Sequence, residues 1–318
     1  MNKAPKLRLG IDLGGTKTEV ALLDQQGLVL ERERLPTPQG DYPGTLNTIQ
    51  QLIGRLEARH TLNGLALGIA TPGSPSSIDG HMKNCNSICL NGKPLLTDLE
   101  QKLRRPVRLA NDADCFALAE AHNGAAQEAN SVFGVILGTG VGGGLVINKR
   151  LLQGPNHICG EWGHNPVALN ALQPNAAFKP ESLSAYEQER PCYCGKTNCV
   201  ETWLSGPALS QSDWELGGKH HKRPAREIAS ASQAGESQAS QAINHYTHIL
   251  ASALATVINI IDPEVIVLGG GLSKIDSLYE QLPDVLTPYV FSDEILNRIV
   301  PAQQGDSAGV IGAAYLWG

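Results

Sequence analysis

The sequence predicts an internally duplicated α/β fold with a cleft between its halves, and three observations carry that expectation. Two strand–turn–strand units, Leu7–Asp24 and Ser131–Asn148, each turn on glycines. In both halves a helical stretch is later followed by a strand with a glycine end: Asp41–His60 then Leu65–Gly73, and Ser237–Ile261 then Glu264–Gly271. The 318 residues are enough for two domains with separate cores.

Each element has a local reason. Leu7–Asp12 reads as a strand, Leu13-Gly14-Gly15-Thr16-Lys17 as a tight turn and Thr18–Asp24 as the returning strand, with Leu28–Arg34 as a third. Leu46, Ile49, Leu52, Ile53 and Leu56 fall on one helical face within Asp41–His60. Ser131–Leu137, the glycine turn Gly138–Gly144 and Leu145–Asn148 repeat the opening plan, and Leu151–Gln153 follows. Ile243, Leu250, Leu254, Val257, Ile258 and Ile261 stripe a long helix that Asp262-Pro263 stops. Asn170–Arg190 and Gln211–Gln241 carry little periodicity and read as loops and surface helices. Gly305–Gly318 reads as a short final helix packing back on the body.

Apolar residues make up 42% and charged residues 18%, an ordinary globular composition, and the formal net charge of −6 offers no basic surface for nucleic acid. No stretch approaches the roughly 18 apolar residues of a membrane span. Lys3 and Lys6 lead into a strand rather than an apolar targeting run, so the protein is expected in the cytoplasm, without nucleic-acid or membrane partners. Seven cysteines without an export signal argue against a disulfide framework. Cys85, Cys89, Cys115 and Cys159 are scattered and read as small hydrophobes. Cys192, Cys194 and Cys199 are clustered, and three such thiols suit a tetrahedral zinc site that needs a fourth N or S ligand.

Glycines after a strand let the backbone approach a phosphate, and consecutive amides there form an anion-binding concavity. Gly14, Gly15, Thr16 and Lys17 in the first turn, and Gly138, Thr139 and Gly140 in the second, fit that role. Asp12 offers hard oxygens to magnesium or its waters. Gly138-x-Gly140-x-x-Gly143 formally matches the dinucleotide fingerprint, but Leu145-Val146-Ile147 reads as a strand where that motif needs a helix. No Gly-x4-Gly-Lys-Ser/Thr loop is present. Asn111-Asp112, at a strand end before a helix, reads from residue preference as an N-cap. A carboxylate there is also placed to accept a proton from an attacking hydroxyl.

Ile11–Lys17 (IDLGGTK), Leu137–Gly144 (LGTGVGGG), Gly160–His164 (GEWGH) and Cys192–Glu201 (CYCGKTNCVE) together resemble the ROK family of repressors, open reading frames and sugar kinases. The resemblance runs from the first strand to Gly305-Asp306. It implies duplicated actin-like (ribonuclease H-like) ATPase domains closing on ATP and a sugar: residues 1–112 with 303–318, and residues 113–302 carrying a zinc loop. It implies Asp112 as the general base. Gly73, Asn86, Asn111, Glu161, His164 and Glu201 become sugar-side residues, and Gly269 and Gly270 further ATP contacts. It also implies His164 as the fourth zinc ligand beside Cys192, Cys194 and Cys199, with Cys159 the other conceivable one. The family's usual Asn is replaced by Asp114, which either raises the proton affinity of Asp112 or caps the helix.

Lys83–Gly92, Gly160–Pro166 and Ile261–Gly271 are similar to bacterial fructokinases of the mannokinase-fructokinase type. The expected reaction is therefore transfer from Mg²⁺–ATP to fructose, with mannose as a further acceptor and N-acetylglucosamine as the alternative. A sugar-sensing regulator is the reading of another class; the acidic charge and the few residues ahead of the first turn set it behind. The family also implies a possible homodimer.

Overall fold

The computed structural model describes residues 7–62, 64–169, 172, 178, 189–217 and 221–318. Most of the expected loop region 170–190 lies outside the described residues. The first half runs β1 (Arg8–Leu13), β2 (Lys17–Leu23), β3 (Val29–Pro36), α1 (Tyr42–His60), β4 (Leu67–Thr71), β5 (Ser74–Pro75), β6 (Met82–Lys83), α2 (Leu95–Leu103), β7 (Val107–Asn111) and α3 (Asp112–Asn123). The second half runs β8 (Ser131–Leu137), β9 (Val141–Ile147), β10 (Arg150–Leu151), α4 (Glu201–Leu204), α5 (Gly206–Glu215), α6 (Ala225–Gln233), α7 (Ser237–Ile261), β11 (Val265–Gly269), α8 (Asp276–Leu286), β12 (Arg298–Pro301) and α9 (Ala308–Ala314).

The duplication is clearest in the sheets. One has the order β3-β2-β1-β4-β7 and the other β10-β9-β8-β11-β12. Counting only the strands of each five-stranded sheet in chain order, both read third, second, first, fourth, fifth. β1 pairs antiparallel with β2 and parallel with β4, so a hairpin edge joins a crossover core. This is the actin-like plan.

The chain forms two compact units: Met1–Gly134 with Gly144–Gly160 and Gln303–Gly318, and Val135–Gly143 with Glu161–Ala302. The first unit therefore includes α3, whereas the sequence reading divides the chain at Asp112. The core of the first unit joins β1, β2 and β4 to the buried face of α1, Ile49, Leu52, Ile53 and Leu56. Asp41 caps α1 by accepting from the Gly44 amide. α9 sinks into this unit because three glycines make room: a Cβ at Gly10, Gly68 or Gly312 would run into the carbonyls of Val310, Ala313 and Cys115. Trp317 then donates to the Leu67 carbonyl at 2.9 Å.

In the second unit, α7 spans Ser237–Ile261 as the periodicity predicts, and every residue of β11 is buried. The second glycine turn is shorter than expected. Gly142–Gly144 belong to β9. Gly144, which belongs with α3 to the first unit, is glycine for close packing, since a Cβ there would lie 2.6 Å from the Ala113 carbonyl. No helix among the described residues is long and apolar enough to cross a membrane.

Candidate functional site

In the first unit, a cavity of about 580 Å³ is lined by Asp12, Gly14, Gly15, Thr16, Asn86 and Asp112. Thr37, Gln39, Thr71 and the short turn Ser87–Leu90 complete much of its wall. The Gly14 amide closes the β1–β2 turn on the Lys17 carbonyl at 3.0 Å. Thr37 Oγ1 donates to the Gly14 carbonyl at 2.8 Å, and Gln39 donates to that of Gly15. Gly15 and Thr16 are exposed on the cavity side. Lys17, Gly73 and Asn111 lie outside this lining. Gly73 is glycine for a packing reason, because a Cβ there would sit 2.7 Å from Cys85 Sγ.

Asn111 caps α3, its Oδ1 accepting from the Asp114 amide at 2.6 Å, so the plain reading of the Asn-Asp pair holds for Asn111. Asp112 is the first residue of the helix and its Oδ1 accepts from the Ala113 amide at 2.8 Å. Burial pushes the Asp112 carboxyl above the usual range. Asp12 is pushed up to about 6, first by burial, then by the charges of Asp112 and Glu19, against the opposing pull of Lys17 and Arg34. A divalent cation fits this donor set: hard carboxylate oxygens under mutual repulsion are what it relieves.

In the second unit the turn after β8 is held from two sides. Gly138 donates to the Gly140 carbonyl at 3.0 Å, and Gly206, the first residue of α5, donates to the Gly138 carbonyl at 2.7 Å. The Val141 amide donates to Glu201 Oε2 at 2.9 Å. Glu201 thus latches the turn, a contact that the sequence reading missed; only a tertiary structure brings residues sixty positions apart together. At the end of β11, Gly270 adopts φ +83, and a Cβ there would meet the Leu137 carbonyl. The exposed Thr139 lies on the same turn.

His164, Cys192, Cys194 and Cys199 form a cluster whose ligand atoms all lie within 4.8 Å of one another; Cys159 is not in it. Cys192 Sγ is 3.5 Å from His164 Nδ1, and Cys194 Sγ 3.6 Å from Cys199 Sγ. Tetrahedral zinc with Zn–S near 2.3 Å and Zn–N near 2.0 Å sets its ligands about 3.5–3.8 Å apart, so the cluster fits that ion. Donation from the Lys196 amide holds the Cys194 thiol below its usual range, while burial pushes Cys199 up to about 12. His164 Nε2 is 3.0 Å from the Tyr193 hydroxyl and 3.9 Å from Glu161 Oε2, a partner pair that would orient the ring. Trp162 donates to the Gly142 carbonyl at 3.1 Å, fixing the Glu161–His164 turn on β9.

The comparisons with known proteins extend over nearly the whole chain. A sequence model of the ROK family matches residues 8–318. An N-acetyl-D-glucosamine kinase of Yersinia pseudotuberculosis serotype O:1b is 37% identical over 308 residues, covering 96% of this chain and 97% of that protein. One from Vibrio cholerae serotype O1 is 38% identical over 310 residues, covering 96% and 98%. The crystal structure of a ROK hexokinase from Thermus thermophilus superposes with a TM-score of 0.83 at 29% identity, covering 98% of this chain and 97% of that one. With a match of that length behind both the turns and the cysteine cluster, this chain belongs to the ROK family.

Proposed function

We propose that the protein is an ATP-dependent sugar kinase whose acceptor is N-acetyl-D-glucosamine, phosphorylated at the 6-position. One observation carries the kinase reading: the cavity of the first unit gathers Asp12, the β1–β2 turn and Asp112. The acceptor rests on the relatives named N-acetyl-D-glucosamine kinases, which favour this sugar over the fructose expected from short motifs. Fructose is the second reading, on the similarity of Lys83–Gly92 and Gly160–Pro166.

Asp112 takes the proton of the attacking hydroxyl; a carboxyl with raised proton affinity suits that task near neutral pH. Gly14, Gly15, Thr16 and Lys17, with Gly138, Thr139, Gly140, Gly269 and Gly270, are assigned to the nucleotide. Asn86, Asn111, Gly73, Glu161, His164 and Glu201 are assigned to the sugar side, the carboxylates accepting from hydroxyls. Asp12 would hold Mg²⁺ or its waters, and that ion supplies charge neutralisation on the transferring phosphoryl group. His164, Cys192, Cys194 and Cys199 would hold a structural zinc that fixes the start of α4, where Glu201 stands two residues beyond Cys199.

The test is a sugar panel in a coupled ADP-release assay. Turnover highest with N-acetylglucosamine is expected. Turnover highest with fructose would favour the second reading, and no sugar-dependent ADP release would revive a non-catalytic regulator.

A further inference from the structure

Three charged residues stand in one row across the first sheet. Asp12 on β1 is in register with Glu19 on β2, and Glu19 with Arg34 on β3. Directly opposed residues on antiparallel strands share a face, so all three side chains project from the same side. Like charges directly opposite destabilise a sheet, and Glu19 is only 1% exposed, so its charge also carries a desolvation cost. Arg34 Nε at 2.7 Å and Arg32 at 3.8 Å from the Glu19 carboxylate offset that cost. A buried acid kept opposite Asp12, where like charges repel, suits a positive ligand nearby.

We propose that Glu19 is a positioning residue for the divalent cation that accompanies the nucleotide: its fixed charge, one strand behind Asp12, raises cation affinity there, and Arg34 holds and tempers it. The proposal rests on the kinase reading, in which Asp12 serves that cation. Asp112 on α3 and Lys17 on β2 also act on Asp12, and Asp306, ahead of α9, acts on Arg34. Of the three, only Asp12 lines the cavity; Glu19 and Arg34 stand behind it.

The sign of two substitutions separates this role from a structural ion pair. Removing Glu19 subtracts a negative charge from the site, whereas removing Arg34 subtracts a positive one. A purely structural pair would lose stability either way and move cation binding in one common direction. The experiment measures Mn²⁺ binding to the full chain with ADP at pH 8 by electron paramagnetic resonance, with thermal unfolding recorded alongside. Glu19→Gln is expected to weaken Mn²⁺ binding roughly fivefold, and Arg34→Gln to tighten it about twofold. Shifts in the same direction, or a Glu19→Gln value within twofold of wild type while Asp12→Asn loses binding, would overturn the proposal. Unchanged binding in Asp12→Asn would instead overturn the placing of the cation at Asp12, and the proposal with it. If Glu19→Gln does not fold, Arg34→Gln decides alone, because the Arg34 side chain is 44% exposed and its loss is tolerable; failure to tighten then counts against the proposal.

Discussion

The two glycine turns follow one plan and are finished differently. The β1–β2 turn is held by Thr37 and Gln39 and faces a cavity with two carboxyls of raised proton affinity behind it. The β8–β9 turn is latched by a carboxylate of its own unit, Glu201, and abuts the start of α5. The first stores negative charge at a site that a cation would relieve. The second spends an amide on a side chain whose position depends on Cys199 two residues earlier. A duplicated fold has therefore specialised one turn for charge and the other for mechanical attachment.

The largest expected effect lies on the acidic side. Asp112→Asn should lower kcat by about 10³-fold while N-acetylglucosamine binding by calorimetry stays within about twofold. Near-normal turnover would remove the proton acceptor from the first unit and erase the contrast. On the latched side, Cys199→Ser should strip zinc, measured by atomic absorption, and raise the sugar KM about 10–100-fold, with a smaller change in kcat. Full activity with well under one zinc per chain would show that Glu201 needs no such support.

A matched glycine pair sharpens the comparison. Gly140→Ala brings a Cβ within 2.6 Å of Glu201 Oε2, so the latch must shift, and a loss of about tenfold in kcat/KM is expected. Gly15→Ala meets only Ser87 Oγ at 3.4 Å and should cost no more than about twofold. Equal losses would mean that both turns are attached alike.

The smallest effect is in stability. Asp12 has a folded-state pKa of about 6 against an ordinary 3.8, raised mainly by burial. Its stabilising contribution is complete below the unfolded value and is lost as pH rises through the folded one. The ligand-free protein should therefore unfold at a lower temperature at pH 7.5 than at pH 5 through this group. Asp12→Asn should flatten that slope and add on the order of 2 kcal/mol at pH 7.5. A mutant with an unchanged slope would show that Asp12 is ordinary.

Much of the fold is legible in local pattern. The glycine corner marks the β1–β2 hairpin, and apolar stripes mark α1 and α7, the latter to its terminal residues. α2 and α8 escape notice because each is short, and Pro283 inside α8 reads as a break. Gly142–Gly144 look like turn residues, yet Gly144 is glycine because another carbonyl comes too close, a fact written in tertiary distance. The cysteine spacing marks the thiol cluster, and His164 joins it from far along the chain. The Glu201 latch and the Glu19–Arg34 row are invisible in one dimension, since each depends on which strands or loops become neighbours.

The glycine-lined seat of α9 bears on how the protein is made. β1 and β4 leave the ribosome early, but the helix that fills the hollow over Gly10 and Gly68 is synthesised only after the whole second unit. Until then the nascent first unit exposes an unfilled apolar trough, a binding surface for chaperones and a seed for misassembly. Because β1 and α9 are so distant in sequence, closing that trough is a late, high-contact-order step. The chain of the first unit is begun before that of the second and completed after it.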